Sequence, residues 1–156
     1  MEGETSARPV QAADGPFAGW WSWSGRDAFE QLIGPFYVTG EPGAVRCGFM
    51  VEAKHLNGMK ALHGGAMLAF ADFCLFALSR EARGGRRGAG VTVSLNGEFL
   101  GPARAGERVE ATGEVTRSGR SLTFVRGLAT AEGRPMLSFS GVIKAVTPRP
   151  AEEPDA

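Results

Sequence analysis

The chain has 156 residues, of which 43% are hydrophobic and 22% charged, a balance that excludes wholesale disorder and a fibrous architecture and suits one globular core. Lysine plus arginine equals aspartate plus glutamate at 17 each, so no overall field draws the chain toward nucleic acid or an anionic membrane. Any anion must be held locally.

Residues 1–15 are small and acidic, with no basic segment followed by an apolar one, so a mobile N-terminal tail and a cytoplasmic setting are expected rather than a secretory leader. Trp20, Trp21 and Trp23 follow. They are read as a leading segment packed on a sheet, with a ligand-stacking or membrane-surface patch as the alternative. Asp27 to Ile33 predicts a short helix that Gly34-Pro35 stops, because proline disfavours helix in the residue before it. Strands are expected over Phe36 to Thr39 and Ala44 to Val51, on either side of the turn-forming Gly-Glu-Pro-Gly.

The glycine-rich stretch from Leu56 to Gly65 reads as a loop, and Ala66 to Arg80 as the one long helix, free of proline and glycine. That helix is apolar nearly all round, which places it inside the fold. Its apolar run is broken by Asp72 and falls short of the ~20 residues a membrane span needs. After a glycine–arginine link come four strands, Val91 to Leu100, Arg108 to Arg117, Leu122 to Ala131 and Met136 to Ala145, and then a tail at residues 147–156. The expectation is a single α+β domain over residues 16–146, an antiparallel sheet around one central helix. Cys47 and Cys74, without metal-type spacing, read as free buried thiols.

Asp72 carries the first chemical signal. A carboxylate in an apolar helix loses several kcal/mol of solvation unless it is paired or protonated. It is a reacting group or, in the plainer reading, a side chain that reaches solvent or an arginine. The second signal is His63-Gly64-Gly65 at the start of the same helix, where first-turn amides lack intrahelical acceptors and the dipole favours an oxyanion. Asp72 lies eight residues beyond Gly64, about 12 Å along a helix at ~1.5 Å per residue, too far for both to touch one reacting carbon. Two such helices laid antiparallel about a two-fold axis would complete two composite sites, so the pattern implies a homodimer.

The stretch LNGMKALHGGAMLAFAD, followed by VTVSLNGEFLGPARAGERV, resembles the hotdog-fold acyl-CoA thioesterases of the phenylacetic-acid-degradation (PaaI-like) type, in the 4-hydroxybenzoyl-CoA thioesterase superfamily. The resemblance runs from about Gly34 to Val146. It implies a hotdog fold and hydrolysis of a small aromatic or short-to-medium-chain acyl-CoA, without metal or other cofactor. In that scheme the Gly64 amide polarises the thioester carbonyl, and Asp72 of the partner acts as general base or as nucleophile. Asn57, His63 and Thr92 position substrate and water, and His63 is given no proton transfer. Gly65, Met59, Leu62, Phe70 and Phe73 would border the substrate, with Arg104, Arg117 and Arg120 as candidates for the CoA phosphates, each equally readable as a solvated turn residue or a core side chain. His55 is expected at the surface. One departure is Lys60, where related sequences often have glycine, which suggests a differently shaped loop. Whether dimers pair into tetramers stays open. The other readings are a hotdog module that binds acyl-CoA without cleaving it, a dehydratase or hydratase, which would need a histidine that this helix lacks, and a nucleic-acid role for the Gly-Gly-Arg-Arg-Gly stretch.

Overall fold

A computed structural model describes residues 9–23, 27–83 and 90–146. Among the described residues eight strands form one antiparallel sheet: β1 (Pro9–Gln11), β2 (Trp21–Trp23), β3 (Tyr37–Thr39), β4 (Arg46–Met50), β5 (Gly90–Phe99), β6 (Arg108–Ser118), β7 (Leu122–Ala131) and β8 (Arg134–Ala145). Their order across the sheet is β1-β2-β3-β4-β6-β7-β8-β5. The long helix α2 (Gly64–Ser79) leads from β4, inside the sheet, to β5 at its far edge. A short helix α1 (Ala28–Ile33) precedes β3.

The six expected strands are present to within two residues at either end, and the central helix starts two residues early because His63 caps it. The differences lie at the N-terminus. Pro9–Gln11 is a strand, inside the stretch whose composition suggested a tail, and pairs with Trp21–Trp23. Three-residue strands are too short to show a period-2 pattern, so only their pairing reveals them. Residues 1–8, the arginine-rich link at 84–89 and the tail at 147–156 lie outside the described residues.

Of the leading tryptophans only Trp20 packs inward, while Trp21 and Trp23 form β2 and stay exposed. Trp20 is buried edge-on against Phe17, and the Arg46 and Arg108 guanidiniums lie 5.1 and 5.4 Å from its ring centre, a cation–π arrangement. The core lies between α2 and the sheet, with Phe49, Phe70, Leu75, Leu137 and Ile143 removed from water. Glycine lets helix and strands approach closely: a β-carbon on Gly141 would lie 2.4 Å from Leu75, and one on Gly113 would lie 2.8 Å from Leu78. Cys47 and Cys74 are both buried beneath α2, and burial pushes the Cys74 thiol well above its usual range.

His55 is buried, not at the surface as expected. It closes a 3-10 turn (Ala53–His55), where its Nδ1 accepts the Glu52 amide at 2.9 Å while Nε2 lies 2.5 Å from the Ile33 carbonyl. An acceptor role for Nδ1 leaves the proton on Nε2, which donates to Ile33. One ring thereby ties α1 to the loop that leads into α2. His55→Ala should cost about 2 to 4 kcal/mol, from a cavity and an orphaned carbonyl together, read as a lower urea midpoint at unchanged slope.

Candidate active site

Four amides open α2, and three of them are satisfied locally. The Gly65 amide donates to His63 Nδ1 at 2.8 Å, and the Ala66 and Met67 amides donate to the His63 carbonyl at 2.9 and 3.1 Å. Among the described residues none accepts from Gly64, so one N–H remains at the positive end of the helix dipole. Phe99 flanks it: a β-carbon on Gly64 would lie 3.3 Å from the Phe99 ring. Because Nδ1 of His63 is an acceptor, that ring is held as a cap.

The loop before the helix is shaped by Asn57, whose Oδ1 accepts the Met59 and Ala61 amides at 2.9 and 3.2 Å. Its amide nitrogen has no described partner and is free to donate outward. Lys60 takes φ 58, a left-handed conformation that glycine adopts at less cost. The lysine therefore adopts a turn of the kind glycine favours, without needing glycine.

Asp72 is half-buried on α2, and Thr92 Oγ1 donates to its Oδ1 at 2.5 Å. The pairing of β5 with β8 shifts register between Thr92 and Ser94. Bulges of this kind re-aim side chains, and here the threonine meets the helix. No described residue forms an ion pair with Asp72, which argues against the reading of a carboxylate spent on a nearby arginine.

Other expected residues divide. Phe73 is half-buried and borders a cavity, Met59 is 85% exposed beside the helix start, and Gly65 is exposed. Leu62 and Phe70 are core residues. Arg104 sits at the N-terminal end of α2, since the Ala103 carbonyl accepts the Leu62 amide at 2.8 Å. Arg117 and Arg120 belong to the hairpin at the other end, where Ser118 Oγ donates to the Ala82 carbonyl at 3.3 Å. A helix of sixteen residues separates these groups by roughly 24 Å, so one chain does not bring the three arginines together.

Sequence reading gave Glu30 no role and did not place Trp23 at a cavity. With Phe73, Phe76, Ala77, Arg80 and Arg83 they line a space of about 200 Å³ between α1 and α2. Burial, then the Asp27 and Asp72 carboxylates, push the Glu30 carboxyl up to about 7. A polar residue among apolar ones on a short helix was the available signal, but the pattern pointed the other way: Phe29 and Leu32 are exposed while Glu30 turns inward.

One antiparallel sheet closed about one helix is the hotdog fold. The chain belongs to the thioesterase superfamily, whose pattern matches residues 59–137. It is similar to acyl-coenzyme A thioesterase 13 of Homo sapiens, 35% identical over 98 residues that cover 62% of this chain and 68% of the human protein. A putative esterase of Pseudomonas aeruginosa is 30% identical over 115 residues, covering 71% of this chain and 83% of that protein. Among solved structures, a mutant of the phenylacetic acid degradation protein PaaI from Thermus thermophilus superimposes with a TM-score of 0.66 at 28% identity, covering 77% of this chain and all (100%) of that one. The chain is therefore a thioester hydrolase by family.

A carboxyl whose folded value lies above its unfolded one binds more protons in the folded state, so it destabilises the fold as pH rises from the unfolded value through the folded one. For Glu30 that window runs from 4.5 to about 7. Glu30→Gln should remove the effect, leaving the melting temperature unchanged near pH 4 and raising it by a few degrees near pH 8, as measured by calorimetry.

Proposed function

We propose that the protein hydrolyses a small aromatic or short-to-medium-chain acyl-CoA to the free acid and CoA, in two equivalent sites shared across a homodimer. The observation that carries this reading is the Asp72 carboxylate, fixed by Thr92 at 2.5 Å, on the same helix as the unclaimed Gly64 amide. One is suited to activate or deliver an attacking oxygen, the other to receive the charge that develops on the thioester carbonyl.

In this scheme the thioester oxygen takes the Gly64 N–H of one subunit, and the partner's copy of Asp72 faces the carbonyl carbon. Asp72 either draws a proton from water or attacks directly to form an anhydride that water then opens. Thr92 holds the carboxylate in place. Asn57, through its free amide nitrogen, orients the substrate, and the His63 cap keeps Gly64 as the one open donor. Thiolate departure needs no strong acid near neutral pH, because a thiol is a far better leaving group than an alcohol.

Two features support pairing with a second copy. The outer side of β5 is a ten-residue edge with Val91, Val93 and Phe99 exposed, the sort of edge that otherwise recruits unwanted partners. Antiparallel α2 helices would also bring the Arg117 and Arg120 end of one subunit to the Arg104 end of the other, giving the CoA phosphates a basic rim that neither chain forms alone. The reading that the chain binds acyl-CoA without cleaving it gives Asp72 no task.

Asp72→Asn should retain the fold and lose at least about a hundredfold in kcat, followed by free-thiol release across aromatic and aliphatic acyl-CoAs of graded length. Refolding it together with an equal amount of Asn57→Ala should restore about a quarter of wild-type activity if Asp72 and Asn57 of one site come from different chains, since half the dimers then hold one intact site of two. No recovery above the sum of the two variants would reject the shared site.

A further inference from the structure

We propose that Trp21 and Trp23 select the acyl chain: the space they wall between the N-terminal strands and the far end of α2 takes the tail of a straight-chain acyl group of about eight to twelve carbons. The inference rests on the function proposed above and narrows its substrate class.

The space arises from a mismatch between sheet and helix. One helix about 10 Å across covers only part of a sheet whose strands are set ~4.8 Å apart, and this sheet has eight. Strands β1 to β4 precede the stretch that matches the family pattern, residues 59–137, so what they build is this chain's own. Alternate residues of a strand share a face. Trp21 pairs with Val38, and Val38 with Cys47, which is buried in the core under α2. The two tryptophans therefore stand on the helix-facing side of the sheet, where Trp23 meets Phe73 edge-on at 6.2 Å. They remain 43% and 38% exposed, because α2 ends at Ser79 and does not cover them.

The result is a cavity of about 530 Å³, walled by Trp21, Trp23, Val38, Pro42, Val45 and Ala77. It shares Trp23, Ala77 and Arg80 with the space of about 200 Å³ beside Phe73 and Phe76, so the two adjoin along α2. The charged groups are Glu30 and Arg83 beside the smaller space, Glu41 and Glu81 beside the larger, and Arg80 at the junction. Arg80 is exposed, and such a side chain lays its methylenes along an apolar wall while its guanidinium stays in water.

The reacting end lies close by on the same chain. Phe73 follows Asp72 directly, and Phe76 is one turn further on the Asp72 face, about 6 Å along the helix. From Asp72 to Arg80 is about 12 Å along the same axis, the length of an extended chain of roughly ten carbons. A benzene ring fills a void of about 150 Å³, so an aromatic acyl group would be satisfied by the smaller space and leave the larger one without a use. A flexible chain occupies both.

The test uses CoA thioethers, which carry an alkyl chain in place of the acyl group and cannot be hydrolysed. Affinity measured by calorimetry should rise about two- to fourfold with each methylene, up to about ten carbons, and then level off. Trp21→Ala should weaken the decyl compound about tenfold and leave the butyl compound unchanged. Ala77→Phe, which fills the junction, should end the gain at about four carbons; if that variant fails to fold, the part-exposed Trp21 still supplies the test. A decyl thioether brominated at its far end should quench the tryptophan emission of the wild type. Affinity that stops rising at butyl, a length dependence that Trp21→Ala leaves untouched, or the absence of quenching overturns the proposal. Tight binding of the decyl compound without thiol release from any acyl-CoA rejects the proposed hydrolysis and leaves the tail site standing. Hydrolysis confined to aromatic and short acyl-CoAs does the reverse.

Discussion

Burial of α2 is the constraint from which the rest of the molecule follows. The sheet closes on this helix so tightly that glycines stand beneath Leu75 and Leu78, and along most of its length there is room only for apolar side chains. Apart from Ser79 at its end, whose hydroxyl donates to the Phe76 carbonyl, polar groups persist at two points. At its start the Gly64 amide has no acceptor among the described residues, and two turns later Asp72 is held by a threonine from the edge strand. A helix enclosed on all sides could keep neither at acceptable cost. These are therefore the places where enclosure is left incomplete, and the proposed reaction is set there.

The same enclosure explains what could be read in advance. Long elements with strong periodicity are legible because burial imposes the pattern: the apolar helix and the four late strands emerge nearly at their observed limits. The signature around His63 and Asp72 is legible because the spacing of an amide and an acid on one helix is a local property. Strands β1 and β2 leave no such trace, for three residues cannot display alternation and their partners lie elsewhere in the chain. His55 shows the same limit. Its burial comes from a backbone carbonyl twenty-two residues earlier, and nothing in the adjoining sequence announces that bond.

Glu30 is the instructive miss. On composition alone α1 should turn Phe29 and Leu32 inward and leave its acid outside, yet the orientation is reversed. Asp27 fixes where the helix begins, and the cavity walled by Trp23 and Phe73 then receives the residue next in register. The two exposed apolar side chains are left on the outer side, continuing the apolar exposure seen at Met59 and along β5. A reading confined to the amphipathicity of one short helix fails where a neighbouring cavity sets which side turns inward.

Cys74 lies two positions beyond Asp72, facing Cys47 in the interior with its thiol held protonated by burial. A thioester substrate is an acyl donor, and an ionised sulfur within reach could take the acyl group by transthioesterification and stall the cycle as a modified protein. Sequestering that sulfur under the helix keeps it from serving as an acyl acceptor. Hydrolysis is thereby kept separate from self-acylation by packing alone.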